Sequence, residues 1–302
     1  MQPINSSQKM GSFAILMAAF LWGTTGTVAT FAPNLNPLAI GAAAMGGGGL
    51  LQAFVVINTF QKQRYIFRNN KKLISLGVVS VFIYPLAFYS SMHLAGVAIG
   101  TVVSIGTAPL ASAIIETLFD KSPLSKRWLM GFIIGTIGII LLSIGESHHA
   151  TYTVSDGNKM MGIFVGVLAG ITYALYSWTI KGLINAGVDS PSAMGVVFGL
   201  GGTLLLPTLL FTGDALFQNT MNITVVAYMI LVPMFIGYVL FGLGLRYVSV
   251  SVATTLTLFE PLVAALLAVF VVGENINLLG CFGIILIFIC IALLSTPVSE
   301  KK

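Results

Sequence analysis

The chain has 302 residues, of which 57% are hydrophobic and 8% are charged, with 14 Lys and Arg against 9 Asp and Glu. Soluble domains carry about 25% charged residues, and so few charges cannot cover the surface of a soluble protein of this size. With 20 Phe, 9 Tyr and 3 Trp, the sequence is also too hydrophobic for a disordered chain. The composition therefore predicts a membrane protein.

Apolar stretches long enough to cross a bilayer occur ten times along the chain. In chain order they are Gly11–Phe31, Pro37–Phe60, Leu73–Leu94, Ala95–Phe119, Trp128–Ile144, Met160–Ile180, Pro191–Thr212, Ile223–Leu245, Val248–Val272 and Leu278–Thr296. Each stretch is continuously apolar rather than alternating, which favours helices over the strands of a barrel. We therefore expect an all-α polytopic membrane protein with ten transmembrane helices.

The basic residues fall on alternate connecting segments. If the N-terminus is cytoplasmic, all of the 14 Lys and Arg except Lys159 lie on cytoplasmic segments. The positive-inside rule then predicts that both termini are cytoplasmic, in a multi-pass protein of the bacterial cytoplasmic (inner) membrane. The basic cluster Lys62–Lys72 is expected to lie beside anionic lipid rather than to bind nucleic acid.

The two halves of the sequence resemble each other. Pro109, Leu110 and Gly131 align with Pro261, Leu262 and Gly283 at a single spacing along the chain, as do the segments 141–143 and 293–295. The repeat unit contains five predicted helices, and because five is odd, the second unit must enter the membrane from the opposite side. We therefore divide the chain into a first repeat (residues 1–146), an extracytoplasmic linker (147–159) and a second, inverted repeat (160–302). Inverted repeats are typical of secondary transporters, whose substrate site lies near the midplane between the halves.

Four short segments carry a further signal: Phe20–Gly26 on the first helix, Gly96–Leu110 on the fourth, and Phe259–Leu262 and Val272–Glu274 on the ninth. Together with the repeat, they resemble the drug/metabolite transporter (DMT) superfamily, EamA type. The resemblance implies export of a small metabolite, amino acid or drug-like amine by alternating access between the two halves. One departure concerns the second helix, where the family often has an Arg and this chain reads Ala42–Met45.

Glu260 lies about halfway along the ninth predicted span. A carboxylate at that depth costs several kcal/mol unless it faces a polar cavity or is protonated. Thr254, Thr257 and Glu260 recur every three residues and are expected to form one stripe on the helix. Pro261 leaves a backbone carbonyl free one turn earlier, which is a common way to open a ligand site. We predict that Glu260 recognises a cation or amine, or couples transport to protons; a structural acid that bridges helices is the alternative.

Aromatic side chains with a polar edge fall inside the predicted spans rather than at their ends, where interfacial belts are found. They are Trp22, Tyr84, Tyr89, Tyr173, Tyr176, Trp178 and Tyr238. We expect them to line a cavity for an amphipathic or aromatic solute, with ordinary helix packing as the alternative for each one. His93 is a further candidate, as a gate, a proton relay or an interfacial side chain. Glu116, about a turn from Lys121, is expected to extend to the cytoplasmic interface.

Candidate hinges lie on three helices. Four consecutive glycines, Gly46, Gly47, Gly48 and Gly49, weaken the second helix by roughly 1 kcal/mol each relative to Ala. We predict that this segment is pliable and serves as a hinge for alternating access. Pro109 and Pro261, at equivalent positions in the two repeats, are further hinge candidates.

Several functional motifs are absent from the sequence. It has no Gly-x4-Gly-Lys phosphate loop for ATP, no Ser/His/Asp set for hydrolysis, and no Cys or Glu at metal spacing from His148-His149. We therefore expect a secondary transporter without catalytic residues, metal or cofactor, whose partners are a small-molecule substrate and the lipid bilayer. A membrane channel or facilitative pore is one alternative and a lipid-modifying enzyme another. The sequence is compatible with a monomer and with a homodimer.

Overall fold

The computed structural model describes residues 4–145, 156–273 and 276–295. This part of the chain is almost entirely helical and contains ten segments long and apolar enough to cross a membrane, as predicted. Spans 1 to 5 are the helices Ile4–Ala29, Pro37–Val55, Lys71–Ala95, Val97–Phe119 and Lys126–Gly145. Spans 6 to 10 lie within Asp156–Asn185, Ser190–Thr212, Thr220–Leu245, Val250–Val272 and Leu278–Ser295.

Short polar residues mark the starts of several spans. The side chains of Asn36, Asp189, Asn219 and Ser249 each accept a hydrogen bond from a backbone N–H in the first turn of the helix that follows. Such caps satisfy donors that have no partner within the helix. Spans 2 and 7 also have a proline in the first turn, where its missing N–H costs nothing.

Several predicted boundaries differ in the structure: span 1 begins at Ile4 rather than at Gly11, and span 6 ends at Asn185 rather than at Ile180. Span 2 ends at Val55 rather than at Phe60, and a separate short helix, Ile57–Asn69, carries the first part of the basic cluster. Its polar and charged composition separates it from the apolar span before it. The helix of span 6 begins at Asp156, within the segment 147–159 that we interpreted as a linker; residues 146–155 lie outside the described part of the chain.

Irregular backbone is concentrated in the second half. Span 7 ends in a 3-10 turn, Leu206–Thr208, followed by Leu209–Thr212, and span 8 contains a π-helical segment, Ile230–Gly237, around Pro233. Span 9 is divided into the helices Val250–Leu256 and Phe259–Leu267 and ends in a π-helical segment, Ala268–Val272. In the first half, spans 3 and 4 continue as single helices through Pro85 and Pro109.

The main helix contacts join the two halves. Span 2 packs on span 7 and span 5 on span 10; span 6 packs on spans 3 and 4, and span 1 packs on spans 8 and 9. When the two repeats are exchanged, the contacts of span 6 with spans 3 and 4 correspond to those of span 1 with spans 8 and 9. The contacts between spans 2 and 7 and between spans 5 and 10 correspond to themselves. The contacts are therefore those expected of two inverted five-helix units around a pseudo-two-fold axis.

The four glycines of span 2 lie within an unbroken, closely packed helix. A Cβ at Gly49 would lie 2.2 Å from the carbonyl oxygen of Phe198, and one at Gly48 would lie 2.7 Å from Cβ of Met234. Gly46 and Gly47 meet Leu206 and Ile230 at 2.8 Å in the same way. Without side chains, these residues let span 2 approach spans 7 and 8 closely. Their role as a hinge remains a prediction about a second conformation.

Candidate functional site

A cavity with two connected chambers lies between the halves of the molecule. The smaller one, which we call the aromatic chamber, has a volume of about 50 Å³, and the larger, the wide chamber, has a volume of about 470 Å³. Both chambers are lined by spans 1, 2 and 3 of the first half and by spans 8 and 9 of the second. The cavity therefore lies where inverted-repeat transporters place their substrate site.

The aromatic chamber brings together six of the aromatic residues proposed from the sequence. They are Trp22, Tyr84, Tyr89, Tyr173, Tyr176 and Tyr238. The rings contact one another: the centroid of Tyr84 lies 5.5 Å from that of Tyr173 and 5.6 Å from that of Tyr176, and the rings of Trp22 and Tyr238 are 4.7 Å apart. Such spacings are typical of favourable aromatic pairs, so the walls of the chamber support one another.

Hydrogen bonds hold these rings in place. The indole Nε1 of Trp22 donates to the carbonyl oxygen of Pro233 at 3.0 Å, within the π-helical segment of span 8. The hydroxyl of Tyr173 donates to Oγ1 of Thr257 at 3.0 Å. The hydroxyls of Tyr176 and Tyr238 lie 3.3 Å apart and share one hydrogen bond. The polar edges of Trp22 and Tyr173 are thus paired within the protein, whereas the hydroxyls of Tyr84 and Tyr89 have no hydrogen bond among the described residues.

Glu260 lies at the junction of the two chambers and lines both. Span 9 is interrupted at Thr257 and Leu258, two residues before it. Because Pro261 has no N–H, the carbonyl of Thr257 instead accepts from the N–H of Glu260 at 2.9 Å, in a tighter turn. Among the described residues, the Glu260 carboxylate has no hydrogen bond or ion pair. It is also the only charged side chain among the described residues that line the two chambers.

The threonines of the proposed stripe are not cavity residues. Thr254 is fully buried, and its Oγ1 lies 3.2 Å from Oγ of Ser112 on span 4. Thr257 is also fully buried, and its Oγ1 accepts the hydrogen bond from the hydroxyl of Tyr173. Neither threonine is among the residues that line the two chambers, whereas Glu260 lines both. The spacing of three residues assumed a continuous helix, and the structure does not have one at this point.

Two other candidates lie away from the cavity. His93 is exposed in the last turn of span 3 and is not among the residues that line either chamber. Trp178 lies within the helix of span 6 but lines neither chamber, and its indole Nε1 donates to Oδ2 of Asp120, just beyond the end of span 4, at 2.9 Å. The polar edge of Trp178 is thus paired outside the cavity.

Several cavity residues were not among the candidates predicted from the sequence. Thr25 lies one turn after Trp22 on span 1 and lines both chambers, and the spacing of three residues could have revealed it. Met45, Phe88 and Met234 line the aromatic chamber, but nothing in their sequence context separates them from packing residues. Gly26 lines the wide chamber, and a Cβ there would meet no atom within 4 Å.

Among the described residues, the lining of the cavity reaches one end of the bundle. The wide chamber is lined by the loop between spans 1 and 2, including exposed Pro33, and by Val97 at the start of span 4. Towards the opposite end, beyond the aromatic chamber, the side chains of Phe198 and Phe241 are 1% and 0% exposed. In the described part of the chain, the cavity therefore opens towards the loop between spans 1 and 2, and buried side chains lie between it and the opposite end of the bundle.

Glu116 makes hydrogen bonds between spans 4 and 9 at the end of the bundle opposite the opening. It does not extend to the interface as expected: it is 6% exposed and accepts hydrogen bonds from the backbone N–H groups of Val250 at 2.6 Å and Ser251 at 3.0 Å. This carboxylate on span 4 thereby caps the first helix of span 9. Nearby, Nζ of Lys181 donates to the carbonyl oxygen of Leu245 at 2.6 Å, which ties span 6 to the end of span 8.

Comparison with known proteins identifies the family to which this fold belongs. A sequence model of the EamA-like transporter family matches residues 9–144 and again residues 160–296. The chain belongs to the EamA-like transporter family. Each match covers one five-span unit, and the similarity to the DMT superfamily that the motifs indicated is confirmed.

Full-length relatives of this EamA-type chain have been named as transporters. It is 30% identical over 295 residues to the uncharacterized transporter YwfM of Bacillus subtilis, covering 96% of this chain and 95% of that protein. It is 25% identical over 303 residues to the uncharacterized inner membrane transporter YicL of Salmonella typhimurium, covering 96% of each. A solved crystal structure aligns with a TM-score of 0.76 over 94% of this chain and 95% of the other at 16% identity, which supports the fold alone.

The two EamA units of this chain differ chemically at the cavity. In the repeat alignment, Ala108 of the first unit corresponds to Glu260 of the second. Ala108 is 0% exposed and packs against span 6, whereas Glu260 faces the cavity. The described part of the chain contains no group of three or more His, Cys, Asp or Glu that could hold a metal ion. The chemistry that the cavity offers is therefore one carboxylate beside aromatic faces.

Proposed function

We propose that the protein is a secondary transporter that exports a small organic solute across the bacterial cytoplasmic membrane by alternating access. The observation that carries this proposal is a one-sided cavity between two inverted units, with Glu260 as its only charged lining residue among those described. A ligand site that opens to one side at a time is what alternating access requires.

The distribution of basic residues supports an orientation for this state. If both termini are cytoplasmic, as the positive-inside rule predicts, the loop between spans 1 and 2 lies outside and the wide chamber faces outward. The seal around Glu116 and Lys181 then lies on the cytoplasmic side. An exporter loads its substrate from the cytoplasm, so these contacts would have to open in the loading state.

Proton coupling is the energy source that the cavity favours. Glu260 is a lone carboxyl group at the meeting point of the two chambers, accessible from the wide chamber, where it can exchange a proton with water. If protons and substrate compete for this group, an inward proton gradient drives the substrate outward. Proton coupling therefore predicts that transport by the intact protein depends on the pH gradient and that this dependence requires Glu260.

Counterflow in proteoliposomes tests this proposal. Vesicles loaded with a pooled panel of small amines, amino acids and metabolites should take up the matching labelled solute saturably, and an imposed pH gradient should accelerate the net flux. Glu260→Gln should abolish the gradient effect, whereas Asp214→Asn, which removes an exposed acid between spans 7 and 8, should leave it unchanged.

Two results would contradict the proposal. Single-channel currents without saturable counterflow would identify a pore. Identical gradient dependence in the Glu260→Gln and unmodified proteins, from pH 5 to pH 8, would remove Glu260 from the coupling step.

A further inference from the structure

We infer that the cavity selects an amphipathic monovalent organic cation, with its charged head beside Glu260 and its apolar body in the wide chamber. This inference rests on the proposed function and narrows the substrate class from solutes in general to cations that carry no anionic group. It follows from three properties of the cavity: its charge, its hydrogen-bonding capacity and its shape.

The only charge among the described residues that line the cavity is negative. Glu260 lines both chambers, and among the described lining residues there is no Lys, Arg or His. A cation that enters gains an opposite charge and neutralises a carboxylate that otherwise has no partner in the described structure. The carboxylate of an amino acid would enter without a basic partner, and an unpaired charge in such a site is costly.

Several hydrogen-bond donors of the aromatic chamber are occupied within the protein, and none of its described lining residues is basic. The indole N–H of Trp22 is bonded to the carbonyl of Pro233, and the hydroxyl of Tyr173 donates to Thr257. The hydroxyls of Tyr176 and Tyr238 bond to each other. What remains are neutral hydroxyl donors, those of Tyr84 and Tyr89 and one of the Tyr176–Tyr238 pair, and the ring faces. The negative charge density of the ring faces attracts ammonium groups, most strongly when water is excluded.

The wide chamber suits the apolar part of such a molecule. Its volume of about 470 Å³ lies within the range of roughly 300–1,000 Å³ that is usual for small-molecule sites. Its walls include Ile40, Met92, Ile105 and Met229. The aromatic chamber, at about 50 Å³, has room only for a small group such as a head group. Because Glu260 lies at the junction, a charged head and an apolar body can both be accommodated in one orientation.

One feature favours a zwitterion instead, and the experiment must address it. The helix of span 4 starts at Val97, beside the wide chamber, without a side-chain cap. Its free N–H groups are a potential partner for a carboxylate. An amino acid would then bridge Glu260 and this helix end.

Four ligands that share a phenylethyl skeleton separate these possibilities. We would measure their binding to the purified full-length protein in detergent by isothermal titration calorimetry. N,N,N-trimethyl-phenethylammonium carries a fixed charge, phenethylamine is a protonated amine, phenylalanine adds a carboxylate, and 2-phenylethanol is neutral. We expect both cations to bind at least about tenfold more tightly than phenylalanine and 2-phenylethanol.

The variants link this preference to the residues. Glu260→Gln should weaken binding of the trimethylammonium probe by about tenfold or more and leave the weak binding of 2-phenylethanol unchanged. Glu260→Asp, which keeps the charge, should retain most of the affinity, and Asp214→Asn should match the unmodified protein. Thermal unfolding of each variant identifies any that fails to fold, and in that case the Glu260→Asp result decides.

The outcomes distinguish this inference from the proposed function. Phenylalanine binding as tightly as phenethylamine, or probe affinity unaffected by Glu260→Gln in a folded protein, would overturn the cation preference. If amino acids show saturable counterflow while the amines are inert, the inference fails and the transporter proposal stands. If no solute in the pooled panel shows counterflow, the proposed function itself fails.

Discussion

Spans 4 and 9 occupy equivalent positions in the two repeats, yet they have different structures. Span 4 is a single helix, Val97–Phe119, that continues through Pro109 and buries Ala108 completely. Span 9 breaks at Thr257 and Leu258, just before Pro261, and presents Glu260 to the cavity. A proline at the same position of the repeat is therefore not sufficient to break the helix.

The residues that precede each proline explain the difference. In span 9, the hydroxyls of Thr254, Thr255 and Thr257 donate to backbone carbonyls three or four residues earlier, at 2.6 to 2.9 Å. Such bonds compete with the helical pattern and bend it. The repeat alignment places Val102, Val103 and Ile105 at these positions in span 4, and their side chains have no hydroxyl. Span 4 thus stays a continuous helix at its proline, whereas span 9 is irregular there and presents Glu260 to the cavity.

The largest expected effect comes from placing an acidic residue at the position of the first repeat that corresponds to Glu260. Ala108→Glu would put a carboxylate where Ala108 is 0% exposed and where a Cβ at Gly170 would already lie 3.1 Å from its backbone nitrogen. Because the new carboxylate would have neither a partner nor a cavity, we expect a loss of roughly 3–5 kcal/mol in unfolding free energy or failure to fold. Thermal unfolding in detergent measures this.

Ala264→Glu is the matched control for that substitution. Ala264 lies on span 9 and lines the wide chamber, so a carboxylate there can be hydrated. We expect it to cost much less than Ala108→Glu. Equal losses at the two sites would contradict the distinction between a packed span 4 and a cavity-facing span 9.

An intermediate effect is expected at Glu116, where span 4 directly supports span 9. Glu116→Ala would leave the buried N–H groups of Val250 and Ser251 without their acceptor. Loss of a cap in a buried setting should lower stability by about 2 kcal/mol. Glu116→Gln keeps one acceptor oxygen and should cost about half as much in the same unfolding measurement. A stable Glu116→Ala variant would show that span 9 does not depend on this cap.

Much of the fold could be predicted from the sequence because it depends on length, hydropathy and repetition. The ten spans follow from apolar stretches that are long enough to cross a bilayer, and the paired units follow from the alignment of Pro109 with Pro261. The placement of Glu260 in a cavity and the clustering of Trp22 with the tyrosines also agree with the sequence interpretation. A charge or polar edge that lies deep in an apolar span has few favourable environments, so its presence there is informative.

Features that depend on helix rotation and on partners from distant spans could not be predicted. Thr254 was expected on the cavity face, but it is fully buried with its hydroxyl beside that of Ser112 on span 4. Glu116 was assigned to the interface because Lys121 is near in sequence, whereas its partners are more than 130 residues away. The four glycines of span 2 indicated flexibility, and only the neighbouring spans reveal their close packing.

The smallest expected effect concerns the support of the break itself. Tyr173→Phe removes the 3.0 Å hydrogen bond to Oγ1 of Thr257 and keeps the ring in the aromatic chamber. Because Oγ1 of Thr257 still donates to the carbonyl of Thr254, no donor is left without a partner, and we expect a loss of about 1 kcal/mol. A double-mutant cycle with Thr257→Val, measured by thermal unfolding, isolates the pair. If the two losses simply add, Tyr173 does not hold the irregular turn, and the threonine hydroxyls and Pro261 are sufficient to distinguish span 9 from span 4.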